Sequence, residues 1–556
     1  MITSRKARPW LAAGIAAALT VTGVVSVSGA VANSPGYEAS DYGDSDYGDS
    51  KSGSGYRGQY PVVSTTNGAV KGVATSMVTS YKGIPYAAPP VGELRWKAPA
   101  AAAPWDGVLD ATQFGGSCTQ GTGWDPGYDQ PTLNEDCLYL NVYSPSEPSS
   151  KKLPVFVWNH GGGNVAGAGR DTDPTKFITK TEAVYVTINY RVGAMGWLDT
   201  AGLETDNPDG AAGNFGLLDQ QAALKWIREN IRKFGGDPRN VTLAGQSAGA
   251  SNTCAQMASP GAKGLFDRAI LQSGGCSART PEAARQSGAS FTTAIGCPDP
   301  ATELACLRSK TPAEVLAAQT AARQSGPVYG NAVLPEDPLA LLKARKLTDL
   351  PVIVGGTADE SQQSVFGAYD YVNNPITEQM LAELISATYP ADAAAVAAAY
   401  PAANYASPTV AWGDVQSDQR ACRDQTLRDR LGADTKTYAY EFAEKNGPAF
   451  TSIWRLGTDY PFGATHVNDL GYLWDYLGTA LPFSSEQVQL SDQMISYWSS
   501  FAEDGRPDVK YAPRWPKYRP QGNMLQFAAP SAQVVSHATI DAEHGCDLWD
   551  RVSPAA

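Results

Sequence analysis

The feature that most constrains the fold is the run from Asn240 to Ala250, which reads Asn-Val-Thr-Leu-Ala-Gly-Gln-Ser-Ala-Gly-Ala. Its first part, Val241 to Ala244, is short, apolar and partly β-branched, which predicts a buried strand. Small residues then surround Ser247, as expected where a chain turns sharply from a strand into a helix. Gly245 and Gly249 suit such a turn because a side chain at either position would collide with the neighbouring strand or helix. The run is typical of a nucleophile elbow, which presents a serine hydroxyl at a helix N-terminus.

A Gly-x-Ser-x-Gly pattern also occurs by chance in small-residue loops, so other segments must support this interpretation. Lys152 to Gly163 predicts a buried strand that runs into His160-Gly-Gly-Gly, a loop whose N–H groups suit an oxyanion hole. An acid and a histidine should then follow the serine in chain order. Asp359 and Glu360 follow an apolar run, and His466 is one of only four histidines in the chain. Local chemistry allows either acid.

These segments resemble the type-B carboxylesterase family of the α/β-hydrolase fold, which also contains the cholinesterases. Phe234 to Gly249 is similar to the serine signature of that family, and Glu135 to Pro145 is similar to its second signature. Further similar runs occur in family order and extend the resemblance from about Tyr60 to the end: Tyr81 to Trp96, Asn189 to Gly193, Gly213 to Gln221, Leu271 to Gly274 and Trp498 to Gly505.

The resemblance implies a serine carboxylesterase that works through an acyl-enzyme. Ser247 would be the nucleophile, and His466 would be the general base and then the general acid. The family triad uses the Glu of Asp-Glu-Gly or Asp-Glu-Ser, which selects Glu360 over Asp359 as the carboxylate that orients the imidazole. The N–H groups of Gly162, Gly163 and Ala248 would form the oxyanion hole.

The remaining polar residues near these motifs are given structural roles. Asp469, three residues after His466, is a weaker candidate for the triad acid and is interpreted as a helix cap. His160 is interpreted as a residue that shapes the glycine loop, whereas His537 and His544 lie in a polar stretch and are expected at the surface. The neutral Gln246 stands where cholinesterases carry a Glu, so a preference for choline esters is not expected.

The order of the predicted elements indicates a large, mostly parallel central sheet with helices on both faces and helical cap insertions, which agrees with the α/β-hydrolase fold that the resemblance implies. Ligands of such sheets bind beyond the carboxyl ends of the strands, where the glycine loop, Ser247 and Glu360 emerge. Residues 281–345 and 361–435 are predicted to be the helical insertions. The predicted sheet strands are Leu153 to Trp158, Ala183 to Ile188, Val241 to Ala244, Ala269 to Gln272, Leu350 to Val354 and Thr437 to Phe442.

The N-terminus carries features of an export signal. Basic residues precede an apolar segment at residues 10–27, and Ala30-Val-Ala suits cleavage by signal peptidase, although a retained membrane anchor is the alternative. We therefore predict a signal peptide at residues 1–32, a disordered linker rich in Gly, Ser, Asp and Tyr at residues 33–58, and a hydrolase domain at residues 59–556. No later run approaches the ~20 apolar residues of a spanning helix.

An exported chain with eight cysteines is expected to form disulfides, but spacing alone leaves the pairing open. The resemblance implies three bridges: Cys118 with Cys137, Cys297 with Cys306, and Cys422 with Cys546. Cys254 and Cys276 remain, either as a fourth bridge near the catalytic centre or as two buried thiols.

Charge and motif content limit the partners. The net charge of −13 argues against nucleic acid or an anionic membrane, and it disfavours anionic substrates at long range. We find no metal or phosphate motif, so no cofactor is expected, and the predicted partner is a small-molecule ester. The oligomeric state has no sequence signal. Because no long amphipathic lid is evident, soluble esters of short to medium acyl chains are expected rather than long-chain triglycerides. The alternative is a silent binding module with this fold, but such relatives lack the serine that this chain has.

Overall fold

A computed structural model describes residues 60–121, 131–147, 149–322, 325–347, 349–450 and 457–552. The predicted signal peptide at residues 1–32 and the predicted linker at residues 33–58 lie outside the described residues.

The strands are, in chain order, β1 (Val62–Ser64), β2 (Ala69–Lys71), β3 (Val73–Ala74), β4 (Val78–Pro85), β5 (Val108–Asp110), β6 (Tyr139–Pro145), β7 (Leu153–Asn159), β8 (Thr172–Asp173), β9 (Val184–Ile188), β10 (Gly236–Gln246), β11 (Arg268–Gln272), β12 (Val352–Thr357), β13 (Thr437–Phe442), β14 (Asp475–Tyr476), β15 (Met524–Phe527) and β16 (Gln533–Val535).

The α-helices are α1 (Thr175–Thr179), α2 (Gly193–Trp197), α3 (Ala201–Asp206), α4 (Phe215–Asn230), α5 (Ala248–Ala258), α6 (Pro281–Ala294), α7 (Glu303–Ser309), α8 (Pro312–Ala322), α9 (Pro338–Lys343), α10 (Gln362–Ala368), α11 (Glu378–Thr388), α12 (Ala393–Ala399), α13 (Pro408–Asp434), α14 (Ser485–Asp504), α15 (His537–Glu543) and α16 (Cys546–Val552).

In the described part of the chain, the central sheet has eleven strands in the order β16-β15-β13-β12-β11-β10-β7-β9-β6-β4-β3. All neighbours from β15 to β9 run parallel, and the pairs at the two margins run antiparallel. The six strands predicted from apolar runs are β7, β9, β10, β11, β12 and β13, which form the parallel centre. The prediction of a mostly parallel α/β sheet is therefore confirmed. The marginal strands did not stand out in the sequence because they are short or less uniformly apolar.

Both faces of the sheet are covered. Every residue of β7 is buried, and its side chains alternate between two hydrophobic clusters. Val155 and Val157 belong to one cluster, whereas Phe156 and Trp158 belong to the other. Because successive side chains of a strand point to opposite faces, the two clusters are the two layers of core that hold helices against the sheet.

The helical blocks predicted at residues 281–345 and 361–435 contain α6 to α9 and α10 to α13. Each block contributes to a further apolar cluster that it shares with other parts of the chain: Phe291 and Leu307 pack in one cluster with Phe215, and Ile385 and Trp412 pack in another with Trp549. The helical blocks are thus joined to the rest of the chain by packed side chains.

Four disulfides constrain the loops and helices. They join Cys118 to Cys137, Cys254 to Cys276, Cys297 to Cys306, and Cys422 to Cys546. The pair that the sequence left open, Cys254 with Cys276, is therefore bridged. It links α5, the helix that follows Ser247, to the segment after β11.

Candidate active site

Ser247 occupies a strained turn between β10 and α5. Its backbone has φ 56° and ψ −124°, which is unusual for a residue with a side chain. A Cβ atom on Gly245 would lie 2.3 Å from the carbonyl oxygen of Gly249, and one on Gly249 would lie 2.1 Å from that of Asn159. Both glycines are therefore needed for the close approach of strand, turn and helix. The turn presents Ser247 at the N-terminus of α5, where the helix dipole favours negative charge.

The two candidate acids after β12 have different partners. Oε2 of Glu360 lies 2.5 Å from Nδ1 of His466, and Oε1 of Glu360 accepts a hydrogen bond from the N–H of Thr357 at 3.1 Å. Asp359 instead pairs with Nζ of Lys445 at 3.1 Å and accepts a hydrogen bond from the N–H of Ala464 at 2.8 Å. The tertiary structure thus distinguishes two adjacent carboxylates that local chemistry could not.

Glu360 carries its negative charge in a buried position. Burial by itself would raise the pKa of this carboxyl, but the Arg420 guanidinium and the His466 imidazole outweigh burial and lower the pKa to about 2. Nη1 of Arg420 lies 3.4 Å from Oε2 of Glu360, the same oxygen that contacts His466. An ionised carboxylate at this position can orient the imidazole and stabilise it when it becomes protonated.

The backbone around His466 is also held in place. Nε2 of Gln246, the residue before the serine, donates a hydrogen bond to the carbonyl oxygen of His466 at 2.8 Å. The hydroxyl of Thr465 accepts a hydrogen bond from the N–H of Gln363 at 2.9 Å. Gln246 therefore ties the elbow directly to the loop of the histidine, which gives this neutral side chain a positioning function.

The glycine loop follows β7 and lies against the elbow. Gly162 and Gly163 have φ values of 98° and 62°, and a Cβ atom on Gly162 would lie 2.3 Å from the carbonyl oxygen of Ala166. His160 is buried and stacks on Tyr190 with ring centroids 4.2 Å apart. Burial lowers the pKa of His160 to about 4, so this imidazole is neutral and serves to shape the loop.

A cavity of about 450 Å³ opens beside the elbow. It is lined by residues of the glycine loop, the elbow, the segment after β11, the loop before Val328 and α13, among them Gly163, Ser247, Ala248, Ser251, Arg279 and Arg420. The cavity therefore brings the candidate nucleophile together with two of the three candidate oxyanion residues.

Two expectations about polar residues are wrong. Asp469 is not a helix cap: it is fully buried inside a short 3₁₀ helix and accepts hydrogen bonds from Tyr440 at 2.8 Å and Gln272 at 2.9 Å. His544 is not at the surface, because its two ring nitrogens contact Asp418 at 2.7 Å and Glu441 at 2.8 Å. His537, by contrast, is partly exposed, and its Nε2 lies 3.6 Å from Asp541 in the next turn of the same helix. A polar sequence context did not reveal partners that lie far away in the chain.

Arg420 is the residue near the candidate site that the sequence reasoning missed. It lies on α13, and Nη2 donates a hydrogen bond to the carbonyl oxygen of Ser273 at 2.7 Å. The spacing of Arg420 and Asp424 is that of an i,i+4 ion pair, which in a sequence predicts an exposed helix face. No local signal indicates that this face of α13 is turned towards Glu360.

Within the described ranges, no group of three or more His, Cys, Asp or Glu residues is arranged to hold a metal ion. A separate search of the same ranges finds no helix with the length and apolar character needed to cross a membrane.

Comparison with known proteins places the chain among ester hydrolases. A family model described as "Carboxylesterase family" matches residues 59–549. Para-nitrobenzyl esterase of Bacillus subtilis is 33% identical over 485 residues, which cover 83% of this chain and 93% of that protein. Carboxylesterase 1E of Mus musculus is 32% identical, with 87% of this chain and 92% of that protein covered. The solved structure of a PNB esterase superposes with a TM-score of 0.69 at 30% identity, covering 87% of this chain and all of that one.

Proposed function

The chain belongs to the carboxylesterase family and is a carboxylic ester hydrolase, and from this premise we propose that it works through an acyl-enzyme on Ser247. His466 is the general base and then the general acid, Glu360 orients the imidazole, and the N–H groups of Gly162, Gly163 and Ala248 form the oxyanion hole. One observation carries the proposal: Ser247, Gly163 and Ala248 line the same cavity.

In the first half of the proposed reaction, His466 takes the proton of the Ser247 hydroxyl as Oγ attacks the ester carbonyl. The negative charge that forms on the carbonyl oxygen is stabilised by the N–H groups of the glycine loop and of Ala248. Glu360, already ionised, stabilises the imidazolium. His466 then gives its proton to the leaving alcohol, and the acyl group remains on the serine.

In the second half, water takes the place of the alcohol. His466 accepts a proton from water while the oxygen attacks the acyl-enzyme, and the same oxyanion hole serves again. Collapse of this intermediate returns the proton to Ser247 and releases the carboxylic acid. The hydrogen bond from Gln246 to the backbone carbonyl of His466 supports the use of His466 in both halves, because it holds the histidine loop against the elbow.

A burst experiment tests the proposal. With p-nitrophenyl butyrate we expect a rapid release of p-nitrophenolate that is stoichiometric with enzyme, followed by slower steady turnover, since the acyl-enzyme accumulates. Ser247→Ala should remove both phases. Ser251→Ala is the matched control, because Ser251 lies one turn further along α5 and lines the same cavity. A folded native protein without turnover on any ester, or an active Ser247→Ala variant, would overturn the proposal.

We also propose soluble esters of short to medium acyl chains as substrates, in keeping with a cavity of about 450 Å³. A series of p-nitrophenyl esters from acetate to palmitate measures this preference. Maximal kcat/KM at long chains together with activation at an oil–water interface would instead make the protein a lipase.

Residues 1–32 are proposed to be a cleaved signal peptide, residues 33–58 a linker, and residues 59–556 the hydrolase domain of a secreted protein. The four disulfides support an oxidising compartment, and the family match begins at residue 59. N-terminal sequencing of protein recovered from culture medium should begin after Ala32. Protein that stays with the membrane fraction with its N-terminus intact would indicate a retained anchor.

A further inference from the structure

The charges around the candidate catalytic cavity differ in sign from those of the whole chain. The chain has a net charge of −13. Of the described residues that line the cavity beside Ser247, however, Arg279 and Arg420 are the ones that carry charge, and both are cationic. A cavity with low-dielectric walls concentrates the field of such groups, so the cavity should favour negative charge locally.

Arg420 is fixed in an orientation that leaves it in contact with the cavity. Nη2 donates to the carbonyl oxygen of Ser273, while Nη1 and Nε lie 3.4 Å and 3.6 Å from carboxylate oxygens of Glu360 and Asp424. About a quarter of the side chain is nevertheless exposed. A guanidinium has five N–H donors in a rigid fork, so an arginine held in this way on one side can still bind a carboxylate on the other.

Arg279 lies on a different part of the cavity wall. Its backbone N–H donates to the carbonyl oxygen of Pro327 at 2.8 Å, which joins two segments of the lining. The side chain is half-buried, and its Nη2 donates a hydrogen bond to the carbonyl oxygen of Ala283 at 3.2 Å. Arg279 and Arg420 come from separate elements, so the wall of the cavity carries positive charge at two places.

Building on the proposed function, we propose that the cavity selects esters that carry a carboxylate, with Arg279 and Arg420 as the residues that recognise it. The negative net charge of the chain acts at long range and slows the approach of an anion. The two guanidinium groups act after entry, at hydrogen-bonding distance, where charge-assisted bonds are strongest. The reaction is unchanged: one ester bond is cleaved by water, and the extra carboxylate is only bound.

Two matched substrate pairs test this proposal and distinguish where the carboxylate lies. For the acyl side, the monoanionic p-nitrophenyl hydrogen adipate is compared with p-nitrophenyl hexanoate. For the alcohol side, 4-acetoxybenzoate is compared with the neutral 4-acetoxybenzamide. We expect kcat/KM for the anionic member of at least one pair to exceed that of its neutral partner about tenfold. Rates measured with Ser247→Ala are subtracted as background.

Arg279→Gln should remove most of that preference while leaving kcat/KM for the neutral esters within about twofold, because Arg279 is outside the proposed triad and oxyanion hole. Arg239→Gln is the control, since Arg239 is exposed and the variant has the same change of net charge. A measurement without any variant complements this test: raising NaCl from 0.05 to 1 M should reduce the preference of the native protein, because salt screens the charges.

Neutral esters hydrolysed as fast as the anionic ones in both pairs would overturn the carboxylate preference, as would a preference that Arg279→Gln leaves unchanged. Those results would leave the proposed esterase function intact, provided that Ser247→Ala still abolishes turnover of the neutral esters.

Discussion

Glu360→Gln should severely lower kcat/KM, whereas the neighbouring substitution Asp359→Asn should not. Glu360 contacts Nδ1 of His466 at 2.5 Å, whereas Asp359 contacts Lys445 and the Ala464 N–H. The Gln side chain nearly matches Glu in volume but has no charge to stabilise the imidazolium. Its amide can also favour the wrong imidazole tautomer.

The expected magnitude follows from the charges around His466. A carboxylate about 4 Å from the centre of the imidazolium charge, at an effective dielectric constant of about 20, stabilises that charge by about 4 kcal/mol. This is about a thousandfold in rate. Nη1 of Arg420 lies 3.4 Å from the same carboxylate oxygen. Without the carboxylate, less negative charge is left to balance this guanidinium, which then opposes the formation of the imidazolium. We therefore expect kcat/KM to fall by about 10³ to 10⁴.

The assay is kcat/KM for p-nitrophenyl butyrate, with thermal unfolding of each variant measured alongside. Unfolding matters because removing one partner of a buried ion pair can cost about 3–5 kcal/mol of stability. Activities are therefore compared well below both unfolding temperatures. For Asp359→Asn we expect a fall of less than about tenfold, since the residue acts on the histidine loop only through Ala464. A severe loss in Asp359→Asn with a mild loss in Glu360→Gln would refute this assignment of the acid.

Three other predictions concern stability and the oxyanion hole. Burial by itself would lower the pKa of His544, but Asp418 and Glu441 raise this pKa to about 10. The stabilisation that His544 provides is therefore fully present below about pH 6.5, the pKa of a free histidine, and is lost as the pH rises through about 10. The free energy of unfolding in urea, measured from pH 6 to 11, should show this loss in the native protein. In His544→Gln it should be lower and should vary less with pH, and equal pH dependence in the two proteins would contradict the prediction. The bridge between Cys422 and Cys546 spans 124 residues and that between Cys297 and Cys306 spans 9, so replacing the first pair by Ala should destabilise the protein by about 2 kcal/mol more than replacing the second. Equal losses in denaturant midpoints would show that loop entropy is not the deciding factor. Gly162→Ala should lower kcat about a hundredfold or more, because the added Cβ would displace the loop and its N–H donors, and an unchanged kcat would exclude this loop from the oxyanion hole.

Features encoded by neighbouring residues could be predicted from the sequence. The elbow around Ser247 needs a strand, a tight turn and a helix within about a dozen residues, so its composition reveals it. The six central strands were predicted because parallel strands buried on both faces form continuous apolar runs. The marginal strands β3, β4, β6, β15 and β16 lack so clear a pattern.

Several features that depend on contacts between distant parts of the chain have no local sequence signal and were not predicted. His544 contacts Asp418 and Glu441, which are 126 and 103 residues away. In the sequence it is only a histidine in a polar stretch. The burial of Asp469 against Gln272 and Tyr440 has the same origin, and so does the position of Arg420 beside Glu360. Chain spacing does not determine which helix face is turned inward.

The sequence by itself determined the fold class and the few residues that can serve as nucleophile, base and acid, because those depend on local periodicity, turn chemistry and residue type. The family resemblance selected Glu360 over Asp359, and the tertiary structure places Glu360 in contact with His466. Only the tertiary structure decided that Cys254 and Cys276 are joined and that two arginines line the cavity beside Ser247. The physical reason is distance. Hydrogen bonds, disulfides and ion pairs form over a few ångströms, and only the packing of helices against the sheet brings residues so far apart in the chain within that range.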